Sequence, residues 1–132
     1  MKRRMISIIF LLFILLLSAC GAQATRNDEE MISLVEKFQT ATNEENWEEA
    51  ASYMAEDVVY AVPQGTLVGR DVWLATVTKE GGGIFEDVQN RRVDGNKVIV
   101  EMIVTGPDFK SPAVAEVIVE NGKIQSYTVT PP

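Results

Sequence analysis

Residues 97–130 read KVIVEMIVTGPDFKSPAVAEVIVENGKIQSYTVT, and this stretch decides the fold class. It contains three runs rich in β-branched residues, which favour strands. Asn121-Gly122 separates two of the runs and is a strong signal for a tight hairpin. Gly106–Pro112 is interpreted as a seven-residue loop between the other two. The stretch therefore predicts sequential antiparallel strands at Lys97–Thr105, Ala113–Glu120 and Lys123–Thr130.

Three helices are predicted upstream of these strands. The first follows apolar residues at i, i+3, i+4 and i+7 from Met31 to Phe38, which is the spacing of an amphipathic helix. The second begins after Asn46, which forms a capping-box pattern with Glu49, and is expected to end near residues 55–57. The third covers Arg70–Lys79. Its inward candidates are Val72, Trp73, Ala75 and Thr76.

Shorter strands lie between and after the helices. Val58–Val62 favours a strand, Thr66–Val68 an edge strand, and Ile84–Val93 a further strand after the triple glycine Gly81–Gly83. The triple glycine is interpreted as a flexible helix stop. The order of elements predicts an α+β fold, with three helices on one face of a curved, mostly antiparallel sheet.

Composition excludes several classes of protein. The 132 residues include 19 acidic and 12 basic residues, no histidine and one cysteine, with a net charge of −7. The chain therefore has no histidine-based catalytic triad, no histidine metal site and no intrachain disulfide. An acidic chain is also a poor partner for nucleic acid, and we expect no nucleic-acid partner. No metal and no cofactor are expected.

The first twenty residues are typical of an export signal. A basic start, Met1–Arg4, precedes the apolar run Met5–Leu17, which is too short to span a bilayer comfortably. Leu17-Ser18-Ala19-Cys20 resembles the bacterial lipobox, in which cleavage precedes a cysteine that is then acylated. The alternatives are an ordinary signal peptide with an accidental cysteine, or a short membrane anchor. We expect a signal peptide at 1–19, a lipidated cysteine and tether at 20–28 and a folded domain at 29–132.

This interpretation places the protein in the cell envelope, outside the cytoplasm, held to a membrane through acylated Cys20. Removal of Lys2–Arg4 with the signal peptide changes the net charge from −7 to −10. The tether is assigned from its small and polar residues, which show no hydrophobic periodicity.

Several short motifs of the domain resemble one family when they are taken in order. They are Asn46–Ala50, Met54–Tyr60, Pro63, Gly65, Gly69-Arg70 and Glu120–Ile124. This combination resembles the SnoaL-like branch of the nuclear transport factor 2-like superfamily. The resemblance implies a cone-shaped fold with a pocket between the helices and the sheet. The superfamily includes ketosteroid isomerases, polyketide cyclases, dehydratases and many members without known chemistry, so the fold does not assign a reaction.

The catalytic patterns of the family do not carry over. Phe38 stands where the isomerase-like pattern has a tyrosine, and Val62, before Pro63, stands where it has a general-base aspartate. Histidine-dependent patterns fail because the chain has no histidine. We therefore assign no catalytic residue and favour a non-catalytic small-molecule-binding or interaction module. The alternative is an enzyme of the isomerase, cyclase or dehydratase type that uses a pocket carboxylate, Glu101 or Glu116.

Sheet register decides which residues face the pocket. A turn at Asn121-Gly122 places Glu116 opposite Tyr127, and a loop that joins Val104 to Ala113 places Glu101 opposite Glu116. The two glutamates are interpreted either as a proton-sharing pair or as ordinary residues of the sheet surface. A small apolar ligand is expected in the pocket. Its predicted contacts are Tyr53, Tyr60, Trp73, Val100 and Met102, with Val117 and Ser126 as further lining residues.

The same register turns a second set of apolar residues outward. A contiguous exposed apolar patch of this kind is unusual on a monomer, so we expect a homodimer through the sheet. The patch is predicted to contain Ile99, Ile103, Val114, Ile118, Tyr127 and Val129.

The lipid anchor leads to a direct prediction. Cys20→Ala should release the chain from the membrane fraction, because acyl chains contribute about 0.8 kcal/mol for each buried methylene. Intact-mass analysis of membrane-extracted wild type should show loss of residues 1–19 and added acyl mass. Ser7→Ala, inside the apolar run, is the control and should leave both results unchanged. A Cys20→Ala chain that still fractionates quantitatively with membranes would contradict the anchor.

Overall fold

The computed structural model describes residues 27–132, and Met31–Pro132 form one compact unit. The described part of the chain is α+β, with three helices and a six-stranded, mostly antiparallel curved sheet, which confirms the predicted fold class. In chain order its elements are α1 (residues 27–43), α2 (Trp47–Ser52), β1 (Met54–Val62), β2 (Gly65–Val68), α3 (Arg70–Glu80), β3 (Ile84–Asp94), β4 (Lys97–Gly106), β5 (Phe109–Glu120) and β6 (Lys123–Thr130).

The strands have the order β2-β1-β6-β5-β4-β3. Strands β3 to β6 form a meander of tight antiparallel hairpins, whereas β1 pairs with β6 in parallel and carries β2 at its outer side. The edge strand β3 contains two register irregularities, near Asp87 and Asn90, both of which have positive φ. Such bulges bend an edge strand and discourage pairing with another chain.

The loop predicted at Gly106–Pro112 is wrong, because β4 and β5 are joined by a two-residue turn and Gly106 pairs with Phe109. Pro112 lies inside β5. The proline is tolerated because β6 ends opposite Val114, so β5 has only one neighbouring strand, β4, at residue 112. Proline lacks a backbone N–H, and the loss of this donor is harmless where no second strand is present to accept from it. The register between β4 and β5 moves by two residues, so every side chain of these two strands keeps its predicted face. Glu101 consequently lies opposite Val114, not opposite a second carboxylate.

The hairpin at Asn121-Gly122 forms as predicted, with φ of 52° and 72° at its two residues. A bulge then shifts the register. Val119 pairs with Ile124, but Ile118 pairs with Ser126, so β6 has one extra residue at Gln125. From that residue onward, the faces of β6 are reversed from the prediction.

The reversal overturns the predicted positions of three residues, two assigned to the outward patch and one assigned to the pocket. Tyr127 and Val129 are buried, at 0% and 7% exposure, although they were expected in the outward patch. Ser126, expected to line the pocket, is half-buried on the outer side. A strand has a side-chain period of two, so one additional residue exchanges its faces.

Helix α1 buries Val35, Phe38 and Ala41, as the apolar spacing predicts. Asn43 near its C-terminal end accepts a hydrogen bond from the backbone nitrogen of Phe85 at 2.8 Å and donates one to the Phe85 carbonyl at 2.9 Å. This two-point contact fixes the end of α1 to the start of β3.

Helix α2 is shorter than predicted, because Met54 already belongs to β1, where it pairs with Ile124. The Ile124 backbone nitrogen donates to the Tyr53 carbonyl at 2.8 Å, so sheet pairing overrides helical propensity at this point. The Asn46 side chain donates to Glu49 at 2.8 Å and does not cap the backbone, so the capping box does not form.

Helix α3 buries Trp73 and Val77, while Val72 is 49% exposed. The inward assignments of Val72 and of Ala75, which is also exposed, are therefore wrong. The interpretation of the triple glycine as merely flexible also needs correction. Gly81 ends the helix with φ of 78°, and a Cβ at Gly82 would lie 3.1 Å from the Trp47 ring. The second glycine thus permits close packing as well as a helix stop.

The signal peptide and Cys20 lie outside the described residues. No helix within residues 27–132 is long and apolar enough to cross a membrane.

Burial of Val100 at 0% exposure on the inner face of β4 gives a stability prediction. Val100→Asp should lower the free energy of unfolding by several kcal/mol at neutral pH, because its carboxylate would lie in the core without a partner. Burial would raise the pKa of the new carboxyl, so the loss develops above the unfolded-state pKa of about 3.9 and shrinks below it. Denaturant titration at several pH values measures this effect.

Ile99→Asp is the matched control for that variant. Ile99 is half-buried on the opposite face of the same strand and pairs with Arg92 of β3. Its substitution should cause a far smaller loss. Equal losses in the two variants at neutral pH would contradict the inward assignment of Val100.

Candidate functional site

Five aromatic side chains meet between the helices and the sheet, and we refer to them as the interior cluster. They come from five different elements and pack through ring edges and faces at distances typical of favourable aromatic pairs. Tyr127 is central. Its ring centroid lies 5.2 Å from that of Phe38, 5.4 Å from that of Tyr60 and 5.8 Å from that of Phe85. Trp73 completes the cluster, at 5.7 Å from Phe38 and 6.0 Å from Tyr60.

The parallel pairing of β1 with β6 places Tyr60 and Tyr127 side by side. The two residues are register partners, and their rings stack with an interplanar angle of 21°. Trp73 reaches the cluster from the first turn of α3, where its backbone nitrogen bonds to the Gly69 carbonyl at 3.0 Å. Gly69 has φ of 102°, a conformation that favours glycine at the turn into the helix.

Gln39 of α1 adds an amide group beside the aromatic rings. It is 3% exposed, and its Nε2 donates to Tyr127 Oη at 3.1 Å and lies 3.7 Å from Met102 Sδ. Gln39 Oε1 and Trp73 Nε1 are buried and have no hydrogen-bond partner among residues 27–132. Buried polar atoms in folded proteins are nearly always bonded, so each of these two atoms has a hydrogen-bonding capacity that an ordered water or another molecule could satisfy.

Burial raises the pKa of Tyr60 and of Tyr127 above the ordinary value of 10.0. For Tyr127 the neighbouring Tyr60 acts in the same direction, while the hydrogen bond from Gln39 opposes it. Both phenols are therefore protonated at neutral pH. The interior cluster offers uncharged donors and acceptors in an apolar setting.

The structure brings four of the five predicted ligand contacts to the interior. Tyr60 and Trp73 belong to the interior cluster, and Val100 and Met102 lie buried on the inner face of β4. Tyr53 lies apart from them, with its hydroxyl donating to Glu49 Oε1 at 3.1 Å. The ligand-binding role of all five remains a prediction.

Tyr53 instead borders a shallow groove between α1 and α2, with a volume of about 330 Å³. Two of its carboxylates already have partners, since Glu36 pairs with Arg91 at 3.2 Å and Glu49 accepts from Asn46 and Tyr53. The groove is therefore a bonded polar surface. Its lining residues are Ser33, Glu36, Lys37, Thr40, Ala41, Glu44, Glu49 and Tyr53.

The two glutamates proposed for an enzyme lie on the outer face of the sheet. Glu116 is exposed and pairs with Lys97 at 3.7 Å, and Glu101 accepts a hydrogen bond from Asn90. They are not opposite one another, because Ile99 is the register partner of Glu116. Their interpretation as ordinary residues of the sheet surface fits these contacts, and neither supplies a carboxylate to the interior.

Sequence reasoning missed two residues of the site. Gln39 follows the buried helical spacing of Val35, at i+4, and that position alone could have indicated an inward amide. Tyr127 was assigned to the outer face, and no pattern in the sequence reveals the extra residue at Gln125 that turns it inward.

Comparison with protein families supports the resemblance of this chain to the SnoaL-like family. A sequence profile of the SnoaL-like domain family matches residues 35–127, which span α1 to β6 and contain the whole interior cluster. No curated protein matches the chain.

Solved structures have the same fold at low sequence identity. An NTF2-like protein of unknown function from Cytophaga hutchinsonii is 23% identical, with a TM-score of 0.70 over 76% of this chain and 88% of that one. A protein from Kribbella flavida, named a candidate ketosteroid isomerase, is 28% identical, with a TM-score of 0.66 over 80% and 84%. A protein from Xanthomonas campestris pv. campestris, named a candidate polyketide cyclase, is 22% identical, with a TM-score of 0.64 over 78% and 90%.

Proposed function

Since this chain belongs to the SnoaL-like domain family, we propose that it is a non-catalytic module that binds a small, largely apolar molecule in the interior cluster. The carrying observation is the pair of buried polar atoms, Trp73 Nε1 and Gln39 Oε1, that lack a partner among the described residues. Ligand sites are mostly apolar and contain a few convergent polar groups, and this interior has that composition.

An enzyme is the alternative, suggested by the named neighbours from Kribbella flavida and Xanthomonas campestris. Acid–base catalysis works best when the pKa of the catalytic group lies near the working pH. Burial moves Tyr60 and Tyr127 away from that range, and Glu101 and Glu116 lie on the other face of the sheet. These placements favour binding without chemistry.

The lipobox resemblance supports the remaining part of the proposal, which is location. An acylated Cys20 would hold the domain at a membrane outside the cytoplasm, with the intervening residues as its tether. Membrane fractionation of Cys20→Ala tests this part independently of ligand binding.

Binding is testable by amide-detected NMR of isotope-labelled protein, screened against small organic molecules of neutral, anionic and cationic type. Hits should produce saturable shifts at Tyr60, Trp73 and Met102, and the bound compound should be recovered unchanged. Ala115→Leu, at a fully buried position on the inner face of β5, should abolish these shifts by filling space. Ala75→Leu, on the exposed side of α3, is the control.

Two outcomes would contradict the proposal. If no compound of any charge shifts the interior amides, the interior is a closed core. If a bound compound is converted to product, the enzyme alternative replaces the binding module.

We also propose a homodimer through the outer face of the sheet. After the reversal in β6, the apolar residues of this face are the half-buried Ile99, Ile103, Val114 and Ile118. They surround the carboxylates of Glu101 and Glu116, of which the second has Lys97 as a partner. A two-fold axis would make this smaller patch complementary to itself.

Ile103→Glu should dissociate such a dimer, because it would place two like charges near the axis of an apolar contact. Sedimentation of residues 21–132, which retain the whole compact unit, measures the effect. Val68→Glu is the control, since Val68 is 62% exposed on β2 at the far edge of the sheet. A wild-type monomer at tens of micromolar would refute the dimer.

A further inference from the structure

The rings of the interior cluster are packed too closely to admit a ligand without movement. Phe38, Trp73 and Tyr127 are each at most 1% exposed. The ring centroid of Phe38 lies 5.7 Å from that of Trp73 and 5.2 Å from that of Tyr127, which are contact distances for aromatic side chains. A small molecule can therefore reach this interior only if one of the side chains moves away.

Helix α1 and the strands are tied to the rest of the domain by hydrogen bonds as well as by packing. The C-terminal end of α1 makes two hydrogen bonds with the Phe85 backbone. Along its length, Gln39 donates to Tyr127 Oη and Glu36 forms an ion pair with β3. Tyr60, Phe85 and Tyr127 lie on strands that are bonded to their neighbours. Displacement of any of these elements would break several of these bonds.

Helix α3 carries Trp73 and has no such ties. Within residues 27–132, no ion pair and no side-chain hydrogen bond joins α3 to another element. The hydroxyls of Thr76 and Thr78 donate to carbonyls of α3 itself. The helix is held by burial of Trp73 and Val77, which are four residues apart and so lie on one face. A single rotation of α3 would move both side chains out of the interior.

The distribution of apolar residues around α3 specifies this rotation only weakly. Val72 is 49% exposed and Ala75 is exposed, although both are apolar. A typical amphipathic helix has one apolar stripe toward the core, whereas α3 has apolar side chains on its outer side as well. A rotation that takes Trp73 out would therefore bring smaller apolar side chains toward the sheet and leave space among the rings.

Both ends of α3 have the backbone freedom that such a rotation needs. Gly69 precedes the helix with φ of 102°, and Gly81 ends it with φ of 78°. Hinges are typically a few residues at the ends of elements that absorb changes in φ and ψ. Trp73 Nε1, which has no partner among the described residues, would gain a hydrogen bond to water on leaving the interior. This gain lowers the cost of opening.

Resting on the proposed function, we propose that α3 is a lid over the interior cluster and that a ligand takes the place of the Trp73 side chain when the lid opens. Rotation at Gly69 and Gly81 withdraws the indole and exposes the rings of Phe38 and Tyr60, now 5.7 and 6.0 Å from it. The occupant is an uncharged, flat molecule of one or two fused rings, since it replaces an indole among aromatic side chains. The ligand thus selects a minor open state.

Native-state hydrogen exchange of the full-length chain in detergent micelles tests the lid without any ligand. The backbone amides of Leu74–Thr78 should exchange at least about a hundredfold faster than those of Val98–Met102 in β4, because a lid opens while the sheet stays folded. Exchange of Leu74–Thr78 that is as slow as exchange in β4 would overturn the lid.

Gly69→Ala tests whether the hinge lies where we propose. An alanine at this position has a strained φ but meets no atom closer than 3.8 Å, so it penalises the closed backbone without a clash. Relief of that strain on opening should speed exchange of Leu74–Thr78 about tenfold.

Gly95→Ala is the matched control. Gly95 has φ of 63° and no neighbouring atom within 4 Å of an added Cβ, and it lies in the turn between β3 and β4. Movement of α3 leaves this turn unchanged. Gly95→Ala should therefore speed only the amides that exchange through global unfolding and leave Leu74–Thr78 as in the wild type.

Indole is the probe for the occupant. Unlabelled indole at saturation should bring the side-chain N–H of Trp73 into rapid exchange with water in the wild type. Gly69→Ala should bind indole about tenfold more tightly than the wild type, because apparent affinity rises with the fraction of open molecules. Gly95→Ala should bind it as the wild type does. The micelles take up the same share of indole in every sample, so the comparison between variants is unaffected.

The possible failures are distinguishable. Equal acceleration of Leu74–Thr78 by Gly69→Ala and Gly95→Ala would mean that α3 opens only with the whole domain, which overturns the lid. Indole binding that leaves Trp73 protected, or that is unchanged in Gly69→Ala, also overturns the lid and leaves the binding function intact. If α3 opens but neither indole nor any screened compound shifts the interior amides, the proposed function fails together with the inference.

Discussion

The extra residue at Gln125 is the constraint on which the rest of the site depends. Without this bulge in β6, Tyr127 would face outward and its hydroxyl would be in solvent. With it, Tyr127 stacks on Tyr60 from the parallel neighbour β1, accepts from Gln39 of α1 and contacts Phe38 and Phe85. A single backbone irregularity thus joins three elements around one phenol, in line with the tendency of bulges to redirect side chains near functional sites.

The parts of the fold that local patterns determine could be predicted from the sequence. The buried stripe of α1 follows from apolar spacing, and the last hairpin follows from Asn121-Gly122, whose two residues adopt positive φ. The errors occur where non-local pairing overrides a local preference. Met54 leaves its helix to pair with Ile124, and Pro112 enters a strand because β6 has already ended beside it.

The candidate site was accessible to sequence reasoning only in part. Trp73 and Met102 follow from helix and strand periodicity, whereas the inward position of Tyr127 depends on a register shift that a period-two pattern does not encode. Gln39 is different, because its helical spacing was visible. Its importance comes from the Tyr127 hydroxyl that it meets, and that partner lies 88 positions away along the chain.

The distribution of charge is consistent with the proposed binding role, even though two neighbours of the same fold are named as candidate enzymes. Glu101 and Glu116 take up outer positions of the sheet, where Asn90 and Lys97 bond to them, so the acidic character of the chain stays out of its interior. The polar groups of the interior cluster and its neighbour Gln39 are the neutral phenols of Tyr60 and Tyr127, the indole of Trp73 and the amide of Gln39. Such groups orient a ligand through hydrogen bonds but have little capacity to move protons at neutral pH, because burial raises the pKa of both interior tyrosines. The fold alone does not decide between a reactive and an unreactive interior, and in this chain the two candidate carboxylates, Glu101 and Glu116, lie on the outer face of the sheet.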